Sequence, residues 1–332
     1  VTSAKTALPN APGPGGVAGE PLSARLRDVG FWADWAAVVG LVAVAVIFGV
    51  LNPTFLSAGN LEALIVSAAL LVVLTVGQTF VVATAGIDLS IASSMTFGAV
   101  VLGWTTTQGW PIAASCAAAV VAAGAIGLVN GVLVAKGKIT DFIVTLGTLS
   151  AASAAALILS NGNPRQVNSG FLLDLATGGI GPIGYPVLVA VVVVVVAHLV
   201  LFHTRFGVHL LATGGDAEAA RAMGIATARI KLAVYTISGA LAGIGAVLLV
   251  ARIGAATPAA DTTYLLNSVA AVVLGGVSLF GGRGSVLGPV VGAVLLTSLV
   301  NGLTLLGVSQ FYQPLAVGIV VIAAAFLARY QR

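Results

Sequence analysis

Residues 183–203 read Ile183-Gly184-Tyr185-Pro186-Val187-Leu188-Val189-Ala190-Val191-Val192-Val193-Val194-Val195-Val196-Ala197-His198-Leu199-Val200-Leu201-Phe202-His203, without a single Asp, Glu, Lys or Arg. A helix of roughly 20 apolar residues crosses the hydrocarbon core of a bilayer, so this stretch is read as a membrane span. Outward from it lie similar runs at 35–51, 61–83, 89–105, 110–135 and 141–160, then 232–252, 263–280, 285–307 and 311–328. Charges, Gly/Pro breaks or polar turns bound each one. The runs 89–105 and 263–280 are short and interrupted by Gly and Ser, as broken or re-entrant helices would be. Composition agrees: of 332 residues 59% are hydrophobic and 7% charged, where a soluble domain carries about a quarter charged. A water-soluble fold is excluded. The expectation is an all-α polytopic membrane protein of about ten transmembrane helices.

The flanks complete the organisation. Residues 1–30, rich in Pro, Gly and Ala, are expected to form a disordered tail, followed by one transmembrane domain over 31–332. Leu22, Leu26, Val29, Phe31, Trp32 and Trp35 alternate with Arg25, Arg27 and Asp28, a pattern that suits a helix lying in the lipid interface. Ten spans put both termini on one side, and the cations test that count. Lys5, Arg25, Arg27, Lys136, Lys138, Arg205, Arg221, Arg229, Lys231, Arg283, Arg329 and Arg332 fall on the side of the termini, against Arg165 and Arg252 opposite. By the positive-inside rule both termini are cytoplasmic. The net charge of +4 therefore speaks of membrane orientation and not of nucleic acid. Cys116, alone, builds no disulfide framework.

Leu128-Val129-Asn130-Gly131 recurs in the second half of the chain as Leu299-Val300-Asn301-Gly302. The offset from Leu128 to Leu299 also carries the starts of spans two to five close to those of spans seven to ten. Five spans separate each pair, so its members cross in opposite senses. Spans two to five and seven to ten read as inverted repeats, a device for alternating access in transporters.

Ionisable side chains are nearly absent from the spans. Proton- or ion-coupled carriers relay charge through intramembrane carboxylates or histidines, so the driving energy is expected from elsewhere. Asp88, in the turn Gly86-Ile87-Asp88-Leu89-Ser90, is read mainly as an N-cap for the following helix. His198, His203 and His209 are spaced too irregularly to share one helix face, so no metal site is expected. Neutral polar side chains, Gln78, Ser90, Asn130, Asn267 and Asn301 together with Asp88, are the candidates to line a path for an uncharged polar solute; bonding across helix interfaces is the plainer role. Gly127/Gly131, Gly239/Gly243 and Gly288/Gly292 are four apart, as close helix packing requires. The chain's only Gly-Lys pair, Gly137-Lys138, runs into Ile139, so the Ser or Thr of a phosphate-binding loop is missing and no ATPase is expected.

The cytoplasmic connection 204–231 contains Gly214-Gly215-Asp216-Ala217-Glu218-Ala219-Ala220-Arg221-Ala222-Met223-Gly224. Asp216 is a good N-cap, Glu218 suits the positive helix end, the alanines favour helix and Gly224 can close it. A helix of roughly two turns is unstable alone, and its small Ala217/Ala219/Ala220/Met223 surface suits insertion into a partner's groove. This stretch resembles the ATPase-contacting loop of ATP-binding-cassette importer permeases of the ribose/xylose/arabinose type. Further agreement comes from Thr84-Ala85-Gly86-Ile87-Asp88-Leu89-Ser90, from Ala251-Arg252 with Pro258 and Tyr264, and from Ala270-Ala271-Val272-Val273-Leu274-Gly275-Gly276 leading to Gly281-Gly282-Arg283-Gly284.

The resemblance spans about 35–328. It implies a permease homodimer, a separate cytoplasmic ATPase that binds ATP and Mg²⁺, an extracytoplasmic sugar-binding protein, and a fold like that of the vitamin B12-type importers. The chain itself would carry no cofactor. Gly215, Asp216, Glu218, Ala219, Ala220 and Gly224 would form the ATPase-coupling helix. Arg165 and Arg252, the only cations on the outer face, are candidates to meet the binding protein. One departure is Leu265-Leu266-Asn267 where ribose permeases often carry Glu-Leu-Asp, so the identity of the sugar does not transfer. A permease for nucleosides or another small polar solute, or a secondary carrier or channel, stays open.

Overall fold

The structure, a computed structural model, describes residues 35–328. The tail 1–30, the interfacial segment before Trp35 and the terminal cations Arg329 and Arg332 lie outside the described residues. Within them the chain forms thirteen α-helices. These are α1 Ala36–Leu51, α2 Ala58–Ala83, α3 Ile91–Thr107, α4 Ile112–Ala135, α5 Asp141–Ser160, α6 Gly170–Thr177, α7 Tyr185–His203, α8 Arg205–Gly215, α9 Ala217–Ala222, α10 Thr227–Ile253, α11 Thr262–Leu274, α12 Leu287–Leu305 and α13 Gln313–Ala328. Among the described residues six helices (α2, α4, α5, α7, α10 and α12) are long and apolar enough to cross a membrane. The chain is a polytopic, all-helical membrane protein.

Helix boundaries follow local chemistry. The Ser57 hydroxyl accepts the Asn60 N–H at the start of α2, which begins at Ala58, ahead of the hydrophobic run. Helix α10 begins at Thr227, well before its apolar run, so Arg229 and Lys231 ride on its first turns. The run expected over 263–280 ends as helix at Leu274. A Cβ at Gly275 would collide with the backbone of Gly288 and Pro289, and Gly276 has φ +77°. That turn brings α11 against α12, so the span is short because its end is a backbone-to-backbone contact.

The core is α2, buried along nearly its whole length from Ala68 to Ala83. Helix α10 packs on α4 with almost no side chain between them. A Cβ at Gly127 would collide with the Tyr235 carbonyl, one at Gly239 would stand 2.5 Å from the Ala123 carbonyl oxygen, and one at Gly243 2.5 Å from the Val120 Cα. The Gly127/Gly131 and Gly239/Gly243 pairs are thus packing glycines, and Gly288 and Gly292 play the same part against Gly275 and Ala271. Helices α4, α5 and α7 leave most of their apolar surface uncovered, as lipid-facing helices do.

The helix starts reproduce the internal offset. Ala58 answers to Thr227, Ile91 to Thr262, Ile112 to Leu287 and Asp141 to Gln313. Each of these separations matches that from Leu128 to Leu299 to within about one helical turn. The cations divide as well. Lys136, Lys138, Arg205, Arg221, Arg229, Lys231 and Arg283 lie in or beside turns at one end of the bundle, here the cation-rich end. Arg165 and Arg252 lie at the other, where β1 (Arg165–Gln166) pairs antiparallel with β2 (Ala255–Ala256). The helices α6 and α8 are not apparent from the hydrophobic runs. Each opens on a hydroxyl cap, Ser169 for α6 and Thr204 for α8.

Candidate functional site

Three places carry the residues singled out by the sequence. The first is α9 at the cation-rich end. The carboxylate of Asp216 accepts the backbone N–H groups of Glu218 and Ala219 at 2.8 and 3.0 Å. Those bonds, Ala219 first and then Glu218, with Arg221 nearby, hold its carboxyl below the usual carboxylate range. The helix is six residues long and closes with Gly224 at φ +83°. Glu218, Ala219, Arg221 and Met223 face outward, whereas Ala220 is buried against the protein's own body. The expected four-residue surface is therefore reduced to Ala219 and Met223 with half-buried Ala217; Ala220 anchors the helix.

What α9 rests on is not legible in the sequence. Gly214, at the end of α8, is buried, and a Cβ there would collide with the Ala83 carbonyl and stand 2.7 Å from the Gly282 nitrogen. Gly282 in turn donates its N–H to the Ala83 carbonyl at 3.1 Å. Gly281 and Gly282 both have positive φ, +75° and +74°. The approach to α9, the end of α2 and the turn between α11 and α12 thus meet at one junction of backbone atoms. Gly215 is less confined: a Cβ there would find only the Gly282 Cα, at 3.8 Å.

The second place is a buried polar cluster deeper at the same end. Asp88 is not the N-cap of α3; Ser90 occupies that position. Oδ1 of Asp88 accepts the Ser90 N–H (2.9 Å) and the Ser90 hydroxyl (2.7 Å), and Oδ2 accepts the Ser238 hydroxyl of α10 (2.8 Å). Asn130 of α4 donates to the Ser90 hydroxyl at 2.8 Å. Alongside, Asp141 accepts the Ile87 N–H at 3.0 Å, and the Tyr235 hydroxyl donates to the Ile87 carbonyl at 3.3 Å. Asp88, Ser90 and Asn130 therefore join α3 and α4 to α10 across the two halves of the chain.

The third place is a cavity of about 640 Å³ at the cation-poor end, bounded by α2, α10, α11, α12 and α13. Asn267 and Asn301 line it together with Arg252, Asp261, Tyr264 and Gln313. Asn301 also exchanges two hydrogen bonds with Asn60, each 3.0 Å, which is the plainer role the sequence left open. Gln78 lies elsewhere, in the last third of α2 towards Ala83, wholly buried; neither atom of its carboxamide has a hydrogen-bond partner among the described residues. Arg165 sits half-buried at the two-stranded ladder of the cation-poor end and donates to the Thr107 hydroxyl at 3.2 Å, so it is less free than Arg252. His198 and His203 approach more closely than their spacing suggests, with ring centroids 5.8 Å apart.

These features were compared with known proteins. A family model described as branched-chain amino acid transport system / permease component matches residues 60–325. The chain is 37% identical over 297 residues to the ribose import permease protein of Escherichia coli (strain K12), covering 88% of this chain and 92% of that one. It is 36% identical over 308 residues to the ribose import permease protein of Bacillus subtilis (strain 168), covering 92% and 95%. The L-arabinose ABC transporter permease protein of Azospirillum brasilense is 36% identical over 297 residues, 88% of each chain. No solved structure matches the chain. The chain belongs to the family of branched-chain amino acid transport system permease components.

Proposed function

We propose that this chain is the permease subunit of an ATP-driven, binding-protein-dependent importer, moving a monosaccharide of the ribose or arabinose kind across the cytoplasmic membrane. The observation that carries the reading is near full-length likeness to proteins named as ribose and L-arabinose permeases. In this reading the chain crosses the bilayer ten times in a vitamin B12-importer-like fold, with both termini in the cytoplasm. It works as a homodimer with a separate ATPase, which holds ATP and Mg²⁺, and an extracytoplasmic sugar-binding protein.

The coupling element is α9, with Gly215, Asp216, Glu218, Ala219, Ala220 and Gly224. Its exposed Glu218, Ala219 and Met223 are placed to enter a groove on the ATPase. Movement of the ATPase pair pulls on the Gly214–Gly282–Ala83 junction, and through it on α2 and the α11–α12 turn. Gln78, Asn267 and Asn301 are assigned to the solute path; Asp88, Ser90 and Asn130 form its latch at the cation-rich end. Arg252, more than Arg165, is available to the docked binding protein.

The experiment is gentle detergent purification of the subunit from its native membrane, with mass spectrometry of the proteins that accompany it. A co-purifying ATPase, lost when Glu218 is replaced by Arg and Gly215 by Trp, supports the reading. A clean permease oligomer that transports without an ATPase overturns it.

A further inference from the structure

We propose that the cavity at the cation-poor end is the outer solute site of this subunit, and that it is built for a neutral, polyhydroxylated ring. The assignment rests on the importer reading and names the place where that importer's own membrane subunit meets its solute. At about 640 Å³ the cavity is of small-molecule size. Its polar groups are the kind that bind hydroxyls: the amide of Asn267 and the guanidinium of Arg252 each present two adjacent polar atoms, and Asp261, whose Oδ1 accepts the Thr263 N–H at 2.9 Å as the cap of α11, adds its carboxylate as an acceptor. The side chains of Asn267 and Arg252 make no hydrogen bond to another described residue, so their capacity is uncommitted. Tyr264 and Phe311 supply flat apolar faces. One cation and one anion balance, so the site favours neither charge. A sugar ring, with hydroxyls at its edge and C–H groups on its faces, would use both these polar groups and the apolar wall of Leu64, Leu71, Leu296 and Val317.

Two further observations point the same way. The α2 wall of the cavity carries Leu64, Ser67 and Leu71. At about 100° per residue, Thr75 and Gln78 continue that wall inward within one narrow arc of the helix. The Thr75 hydroxyl and both Gln78 carboxamide atoms are the groups left buried without a partner on α2. An unpaired buried polar group calls for an explanation, and a solute passing along that face supplies one. The internal repeat supplies the other. The offset from Leu128 to Leu299 carries Ser67 to Ser238, Ser90 to Asp261 and Asn130 to Asn301. At the cation-rich end Ser90, Asn130 and Ser238 are drawn together around Asp88. Their counterparts Asp261, Asn301 and Ser67 stand around the open cavity. The same positions that shut one end form a chamber at the other.

The test uses the full chain in lipid nanodiscs, with Cys116→Ala as background and either Asn267→Cys or Thr297→Cys added. Each variant is treated with a charged, membrane-impermeant thiol reagent in the presence of D-ribose, L-arabinose or L-leucine. Both cysteines should react, and a sugar held with a Kd of about 1 mM should slow the reaction about tenfold at about 10 mM. L-leucine should leave the rate unchanged. Cysteines that do not react at either position, a rate that no sugar slows, or equal protection by L-leucine would each overturn the proposal. ATP-driven uptake by the unmutated chain, reconstituted with its ATPase and binding protein, is measured in parallel. Absence of that uptake counts against the importer reading; sugar protection of the cysteines is scored independently of it.

Discussion

At the scale of single residues, the junction beneath α9 separates two neighbouring glycines. Gly214 has backbone on both sides, and a methyl group there must push apart the Ala83 carbonyl and Gly282. Gly215 has room for one, 3.8 Å from the nearest atom. Gly214→Ala is therefore expected to abolish ATP-driven uptake, whereas Gly215→Ala retains most of it; equal loss in both would show that the junction does not transmit movement. Asp216 makes a prediction about pH. Its folded carboxyl is held below the unfolded value of about 3.9, so its contribution to α9 is complete above that value and fades only as pH falls through the lower, folded one. Uptake should not change between pH 5 and 8 on its account, Asp216→Asn should preserve coupling because asparagine caps as well, and Asp216→Ala should weaken ATPase co-purification. Asp88 is buried with three hydrogen bonds. Asp88→Ala orphans the Ser238 and Ser90 donors at about 1–3 kcal/mol for each group left unpaired, which a thermal melt in detergent would register. Asp88→Asn, which keeps one acceptor, should melt closer to the parent.

At the scale of elements, the helices themselves are legible, because hydropathy averaged over the length of a membrane span survives local noise. The run 141–160 coincides with α5, and most others begin or end within a turn of the helix. The exceptions have physical causes. Helix α10 extends into the polar interface, where hydropathy no longer tracks helicity; α11 stops early because Gly275 must touch α12. Helices α6 and α8 escape notice because a short amphipathic helix carries no long apolar run. The glycine spacings announce packing but not partners: nothing in the sequence says that Gly127 faces the Tyr235 carbonyl. Helix α9 is legible from its cap and its family likeness, whereas its seat on Gly281 and Gly282 depends on segments far apart in the chain. The α4–α10 contact gives a paired prediction. Gly127→Ala overpacks a backbone contact and should cost about 1–3 kcal/mol. Gly147→Ala, on the uncovered face of α5 with no atom within 4 Å of the added Cβ, should be neutral or stabilise by up to about 1 kcal/mol through helix propensity. Comparing the two melting temperatures checks both, and a Gly127→Ala protein as stable as the parent would refute the close packing.

At the scale of the whole molecule, the two halves hold equivalent residues in unequal states. One end is latched by hydrogen bonds that cross from α3 and α4 to α10; the other is open around Asn267 and Asp261. If the halves are inverted repeats, exchanging their conformations closes the cavity and opens the latch, with no new element required. The offset that carries Thr96 to Asn267 selects the probes. Thr96 is buried, just over a turn into α3 from the cation-rich end, whereas Asn267 borders the cavity, just over a turn into α11 from the other. In a Cys116→Ala background, Asn267→Cys should react from the outside in the resting importer and Thr96→Cys should stay shielded from both sides. Trapping the ATPase with nucleotide and vanadate should reverse this, with Cys at 96 reacting from the cytoplasmic side. A trapped state favoured by about 1.4 kcal/mol shifts the ratio of the two conformations tenfold, and the reactivities should follow in opposite directions. Reactivities that rise together would describe a channel open from end to end. Reactivities that ignore the nucleotide would uncouple α9 from the halves it is joined to through Gly214.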